Sequence, residues 1–128
     1  MSELAVALTG NPNTGKSTIF NALTGARQKI GNWPGVTVDK KIGHTHYKGR
    51  AISIVDLPGT YSINARSPEE QIVIDYLTST KLDLVLNVVD SSNIERNLFL
   101  TVQLLEKGIP LLIDLNMQDD AQRRGIKI

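Results

Sequence analysis

The chain has no cysteine, which excludes disulfides and thiolate metal sites. It has almost no excess charge, +1 overall, so nothing points to a polyanionic partner such as nucleic acid. The short basic pairs Lys40-Lys41 and Arg123-Arg124 read as solvated surface. No basic n-region followed by a long apolar run opens the sequence, so no signal peptide is visible. No apolar run approaches the ~20 residues that a membrane helix needs. Internal repeats and low-complexity segments are also missing. What remains is 128 residues with 41% hydrophobic content, the size and composition of one soluble, cytosolic domain.

Within that domain, short apolar runs alternate with helical patterns. Leu4 to Leu8 reads as a buried strand. Ile19, Phe20 and Leu23 give Lys16 to Leu23 a helix face, with Gly25 as its stop. Residues 26–37 carry Gly31, Pro34 and Gly35 without a period and read as a mobile loop. Val38 to Tyr47 and Arg50 to Asp56 form two strands around the turn Lys48-Gly49. Ser67-Pro68-Glu69-Glu70 is a helix start, with serine as cap, proline in the first turn and Glu70 able to close a capping box. Ile72, Val73, Tyr76 and Leu77 supply that helix's buried face. Leu82 to Val89 is a strand. Ser92 to Glu95 is a second capping-box pattern, before Ile94, Leu98, Val102 and Leu105 at helical spacing. Gly108 and Pro110 end that helix. Leu111 to Leu115 is the last strand. The order β-α-β-β-α-β-α-β predicts an α/β fold: a mainly parallel sheet, helices on both faces and one antiparallel edge strand.

Chemistry concentrates in a few loops. Gly10-Asn11-Pro12-Asn13-Thr14-Gly15-Lys16-Ser17 fits G-x-x-x-x-G-K-[ST] between a strand and a helix, the context that a phosphate-binding loop needs. Its backbone N–H groups and the helix N-terminus suit phosphate oxygens. Lys16 would bridge β- and γ-phosphates, the Ser17 hydroxyl would ligate Mg²⁺, and Thr18 continues the nucleotide-binding stretch. Asp56-Leu57-Pro58-Gly59 follows at a strand end. Asp56 can hold Mg²⁺ through a water, and the Gly59 N–H can reach a γ-phosphate. Thr37, in Trp33-Pro34-Gly35-Val36-Thr37, can swing in as a further Mg²⁺ ligand and order its loop. Asn116-Met117-Gln118-Asp119 comes last. A carboxylate at Asp119 can accept both N1–H and N2–H of guanine, a donor pair that adenine lacks. Asn116 would tie this loop to the phosphate loop and touch the base edge.

These motifs, in this order, resemble the P-loop GTPase family. Gly10-Asn11-Pro12-Asn13, Gly31-Asn32-Trp33-Pro34-Gly35-Val36-Thr37-Val38, Asp56 to Ser62, Asn87-Val88-Val89-Asp90 with Asn97-Leu98, and Asn-Met-x-Asp narrow the match. They resemble the N-terminal G domain of the bacterial ferrous iron transport protein B family. Met117 stands where most GTPases have lysine and could pack over the base. The resemblance implies a slow GTP-hydrolysing switch that binds GTP and GDP. It implies a spacer and a membrane transport domain beyond this chain, on the cytoplasmic side of the inner membrane, with self-association as a further expectation. It makes Asn13 a ligand of an activating K⁺ ion, which would neutralise transition-state charge as an arginine finger does. Thr60 stands where many GTPases place a water-orienting glutamine. G domains also carry a last strand and helix with a base-contacting loop. The expectation is that residues 1–128 are the N-terminal part of a G domain, without them.

Two other readings stay open at this stage. One is a ribosome- or RNA-associated GTPase; the other is a non-hydrolysing interaction fragment. Several residues are given no role. His44 and His46 read as solvent-facing residues of the edge strand without a nearby carboxylate. Trp33 reads as an exposed switch-loop aromatic or a partner contact, Arg66 as a surface residue, and Asp114 as a carboxylate at its strand's wet end.

Overall fold

The computed structural model describes residues 3–25 and 28–116. Its elements are β1 (Leu4–Gly10), α1 (Lys16–Thr24), β2 (Gln28–Asn32), β3 (Asp39–Tyr47), β4 (Arg50–Asp56), α2 (Pro68–Ser79), β5 (Leu84–Asp90), α3 (Ile94–Glu106) and β6 (Leu111–Asn116). They build a six-stranded sheet in the order β2-β3-β4-β1-β5-β6. β1 lies parallel to β4 and β5, and β5 parallel to β6. β3 runs antiparallel to both of its neighbours.

Central strands are apolar on both sides because both faces are covered. Ala7, Val55 and Val85 share a core with Leu57, with Val73 of α2 and with Leu100 and Leu104 of α3. Leu8, Ile54 and Val88 face the other way, onto Phe20 of α1. Neighbouring residues of one strand thus serve opposite layers.

Three expectations change here. Residues 28–32, within the stretch expected to be a loop, form strand β2. Four of its five residues are exposed, so no face is buried and no alternation marks it. Backbone pairing from Gln28↔Gly43 to Asn32↔Asp39 holds it instead. The reversed strand β3 is consequently second from the edge rather than at it.

Second, α3 is present, but its apolar stripe faces outward. Leu98, Val102 and Leu105 are exposed, as is Phe99 at 55%. The inward face is Asn97, Leu100, Thr101 and Leu104. Polar side chains turn inward because they meet polar partners. Asn87 of β5 donates to Thr101 Oγ1 and accepts from Thr9 Oγ1 at 3.2 Å. Asn97 Oδ1 accepts from the Asp90 N–H at 3.0 Å, and its Nδ2 donates to the Asn93 carbonyl at 2.8 Å.

Third, Ser92 does not cap α3. Asn93 precedes the helix without a side-chain cap bond, and the Asp90 carboxylate instead accepts from the Ser92 N–H at 2.9 Å. The start of α2 is as expected. Ser67 Oγ accepts from the Glu70 N–H at 3.1 Å and Pro68 opens the helix. The Glu70 carboxylate is used elsewhere than on the Ser67 backbone. Its Oε2 accepts from Ser62 Oγ at 2.6 Å and from the Asn64 N–H at 3.0 Å. Those bonds, Ser62 foremost and partly offset by burial, hold its carboxyl below the usual glutamate range.

Candidate functional site

β1, β4 and β6 are co-directional, so Gly10, Asp56 and Asn116 all arrive at one edge of the sheet. That edge is where open parallel sheets bind ligands. A cavity of about 370 Å³ lies there, lined by residues 11–17 and Gly59.

The phosphate loop shapes the cavity through its backbone. Asn13 (φ 65°) and Gly15 (φ 86°) take left-handed conformations. α1 begins at Lys16 with no side-chain cap and no acidic residue in its first turn. Its N-terminal N–H groups therefore keep their capacity for an anion. Lys16 is buried and its ammonium pairs with the equally buried Asp56 carboxylate. The ammonium and the carboxylate singled out in the sequence thus face each other. Asn11 and Thr14 are buried beneath the loop, and their side-chain polar atoms find no partner among the described residues.

The loop after β4 is fastened to the same place. The Leu57 N–H donates to the Leu8 carbonyl at 3.1 Å, and the Thr60 N–H donates to the Gly10 carbonyl at 3.0 Å. Gly59 lies against Pro12 so closely that a Cβ there would stand 3.0 Å from the Pro12 Cα. Any larger side chain at Gly59 would push the two loops apart. Thr60 is buried, and its backbone N–H fastens the loop. From β6, Asn116 Nδ2 donates to the Thr14 carbonyl at 2.8 Å. That bond joins residues 102 positions apart.

The structure thus brings Gly10, Asn11, Pro12, Asn13, Thr14, Gly15, Lys16, Ser17, Asp56, Gly59 and Asn116 to one locality. Asn13 and Ser17 are exposed there, while Thr18 is exposed on α1 and does not line the cavity. Thr37 is not among the lining residues. It is exposed in the connection between β2 and β3. Met117 and Asp119 lie outside the described residues.

Residues given no role also change. Trp33 is 6% exposed and belongs to the core with Val55, Leu57 and Val73, a correction to its reading as an exposed aromatic. His44 does have a carboxylate neighbour: its Nδ1 lies 3.4 Å from Glu3 Oε2. Among the described residues no group of three His, Cys, Asp or Glu side chains could hold a metal. Asp114 is half-buried in β6. Sequence reasoning missed the Asn87–Thr101 bond and the burial of Trp33. The one available signal for the first was an asparagine interrupting an apolar strand.

Known proteins repeat this arrangement. The family model described as ferrous iron transport protein B matches residues 4–128. The Fe(2+) transporters FeoB of Shigella flexneri and Escherichia coli (strain K12) are each 52% identical over 132 residues. Those alignments cover 100% of this chain and 17% of each relative, so the chain spans about a sixth of their length. Among solved structures, the cytosolic domain of L. pneumophila FeoB matches with a TM-score of 0.91 at 50% identity, covering 97% of this chain and 49% of that one. The G domain of T. maritima FeoB matches at 0.88 and 46%, covering 95% and 77%. A mutant S. thermophilus NFeoB bound to mGDP matches at 0.91 and 51%, covering 99% and 48%. With a family model spanning nearly all its residues and relatives half-identical across its length, the chain belongs to the ferrous iron transport protein B family.

Proposed function

We propose that this chain binds GTP and GDP and hydrolyses GTP slowly, as the switch domain of a bacterial Fe²⁺ transporter. The observation that carries the reading is the cavity over residues 11–17, with Lys16 and Asp56 already paired at its base. A nucleotide's phosphates would take Lys16 and the α1 N–H groups, and Mg²⁺ would take Asp56 and Ser17. Mg²⁺ commonly binds through one or two carboxylates plus substrate phosphates rather than in an all-protein cage. The donors at hand fit that requirement. When bound, the metal would neutralise charge on the β- and γ-oxygens.

Hydrolysis would then rest on positioning. Gly59, held on Pro12, offers its N–H to the γ-phosphate. Thr60 is buried and stands where many GTPases place a water-orienting glutamine, in keeping with a slow rate. Asn13 sits exposed on the cavity wall, where its amide oxygen suits a K⁺ ion beside the phosphates. Thr37 must move to join the site. Met117 and Asp119 would complete base recognition, with Asp119 selecting guanine. The remainder of the parent protein would supply the spacer and membrane domains, placing this chain on the cytoplasmic side of the inner membrane. The mGDP-bound relative supports the nucleotide class. Membership in the transporter family favours iron uptake over a ribosomal role.

Calorimetry with GDP, followed by phosphate release from GTP in K⁺ and in Na⁺, tests this. We expect GDP binding and faster release in K⁺. Absence of GDP binding would sink the nucleotide reading. Equal rates in the two salts would sink the Asn13 assignment alone.

A further inference from the structure

The connection between β2 and β3 is pinned to α2 by aromatic rings rather than to the nucleotide cavity. Trp33-Pro34-Gly35-Val36 has the signature of a type II turn, with proline second and a positive-φ glycine (φ 77°) third. The Val36 N–H donates to the Trp33 carbonyl at 3.3 Å, and the Trp33 N–H donates to the Val38 carbonyl at 3.0 Å. These bonds tie residues 33–38 into one small unit, with Thr37 exposed on it. The unit's anchor is the Trp33 ring. It meets Tyr76 of α2 edge-on, centroids 5.7 Å apart at 80°, and Lys40 Nζ lies 4.7 Å from its centroid.

That anchor, part of the core with Val55 and Leu57, combines attraction with an uncompensated donor. Edge-to-face rings and a cation over an indole both attract. Yet the indole Nε1 is buried with no partner among the described residues, a lasting cost of this arrangement. Beside the rings lies a hollow of about 270 Å³, lined by Trp33, Pro34, Lys40 and four residues of α2. α2 follows the segment that carries Gly59 in the chain, so the ring pair joins the stretch bearing Thr37 to the element next after Gly59.

We propose that Tyr76 is a positioning residue: its contact with Trp33 holds the 33–38 unit, and with it Thr37, away from the nucleotide cavity until a triphosphate draws the unit in. This rests on the reading of Thr37 as a ligand in the triphosphate state. The ring contact then opposes GTP binding and leaves GDP binding untouched.

The test uses the 128-residue chain, in which Trp33 is the single tryptophan. Tyr76→Leu removes the ring but keeps an apolar side chain; Tyr76→Phe keeps the ring. Affinities for GDP and for a non-hydrolysable GTP analogue are measured with Mg²⁺, and Trp33 emission is followed. In the wild type, emission shifts with the analogue and not with GDP. Tyr76→Leu raises the analogue-to-GDP affinity ratio about two- to tenfold, the scale of one aromatic pair. Tyr76→Phe leaves the ratio unchanged. Thr37→Ala in the Tyr76→Leu background removes the gain. A variant that merely loosens the fold weakens both ligands together, and that result overturns the proposal. So does a gain that survives Thr37→Ala. Failure of the wild type to bind GDP defeats the nucleotide reading itself; GDP binding with an unchanged ratio defeats only the role of Tyr76.

Discussion

Lys16 and Asp56 are each 8% exposed and lean on one another. Removing one partner of such a pair leaves the other charge buried and uncompensated. Asp56→Ala is expected to lower the stability of the ligand-free chain by about 2 kcal/mol, the scale of a lost bond to a charged group. Phosphates would give Lys16 a new partner, and binding to the folded state adds stability by mass action. The deficit should therefore shrink with saturating GDP in the absence of Mg²⁺. Urea unfolding with and without GDP checks this; a deficit of the same size in both would mean that Lys16 does not turn to phosphate. The placement of Lys16 and Ser17 at the cavity was legible because motif spacing and strand-loop-helix context suffice for it. The burial of Trp33 was not legible. It depends on Tyr76, 43 positions further along (76 − 33) and on another element.

Elements were legible where their pattern reflects burial. α2 announces itself through Ser67, Pro68 and Glu70, and the structure uses all three. β2 announces nothing, because it buries no face. α3 misled in a more instructive way: its apolar period is genuine but lies on the exposed side, while Asn97 and Thr101 face β5. Periodicity finds a helix; it does not say which stripe is inside when polar groups have buried partners. The start of α2 also sets a pH dependence. Glu70 is held below its ordinary range mainly by the Ser62 hydroxyl. A depressed carboxylate favours the fold while charged, so its contribution is complete above the unfolded-state pKa, about 4.3. It fades as pH falls through the lower folded-state value. Glu70→Gln should therefore be less stable than wild type near neutrality, with the gap closing only in acid. Thermal unfolding of both proteins from neutral pH to pH 3 would reveal it. A gap independent of pH would assign Glu70 a purely geometric role.

At the scale of the molecule, parallel topology explains why scattered motifs make one site. β1, β4 and β6 end at the same edge, so any chemistry placed just after those strands must converge. That much followed from strand order alone. The fastening between the parts did not, because it consists of single bonds over long separations. Asn116 Nδ2 on the Thr14 carbonyl is the clearest case: it fixes the end of β6, and with it the start of the proposed base-recognition segment, against the phosphate loop. Losing the bond should loosen the phosphate loop for every nucleotide alike. Asn116→Ala is expected to weaken GDP and xanthosine diphosphate by similar factors, about five- to tenfold for one bond of ~1 kcal/mol or slightly more. Asp119→Asn should instead invert the preference between them, because it exchanges an acceptor for a donor at the base edge. Titrating both diphosphates against both variants separates fastening from recognition. If Asn116→Ala changed base preference as strongly as Asp119→Asn, the amide would be acting on the base, and the bond to Thr14 would be incidental to binding.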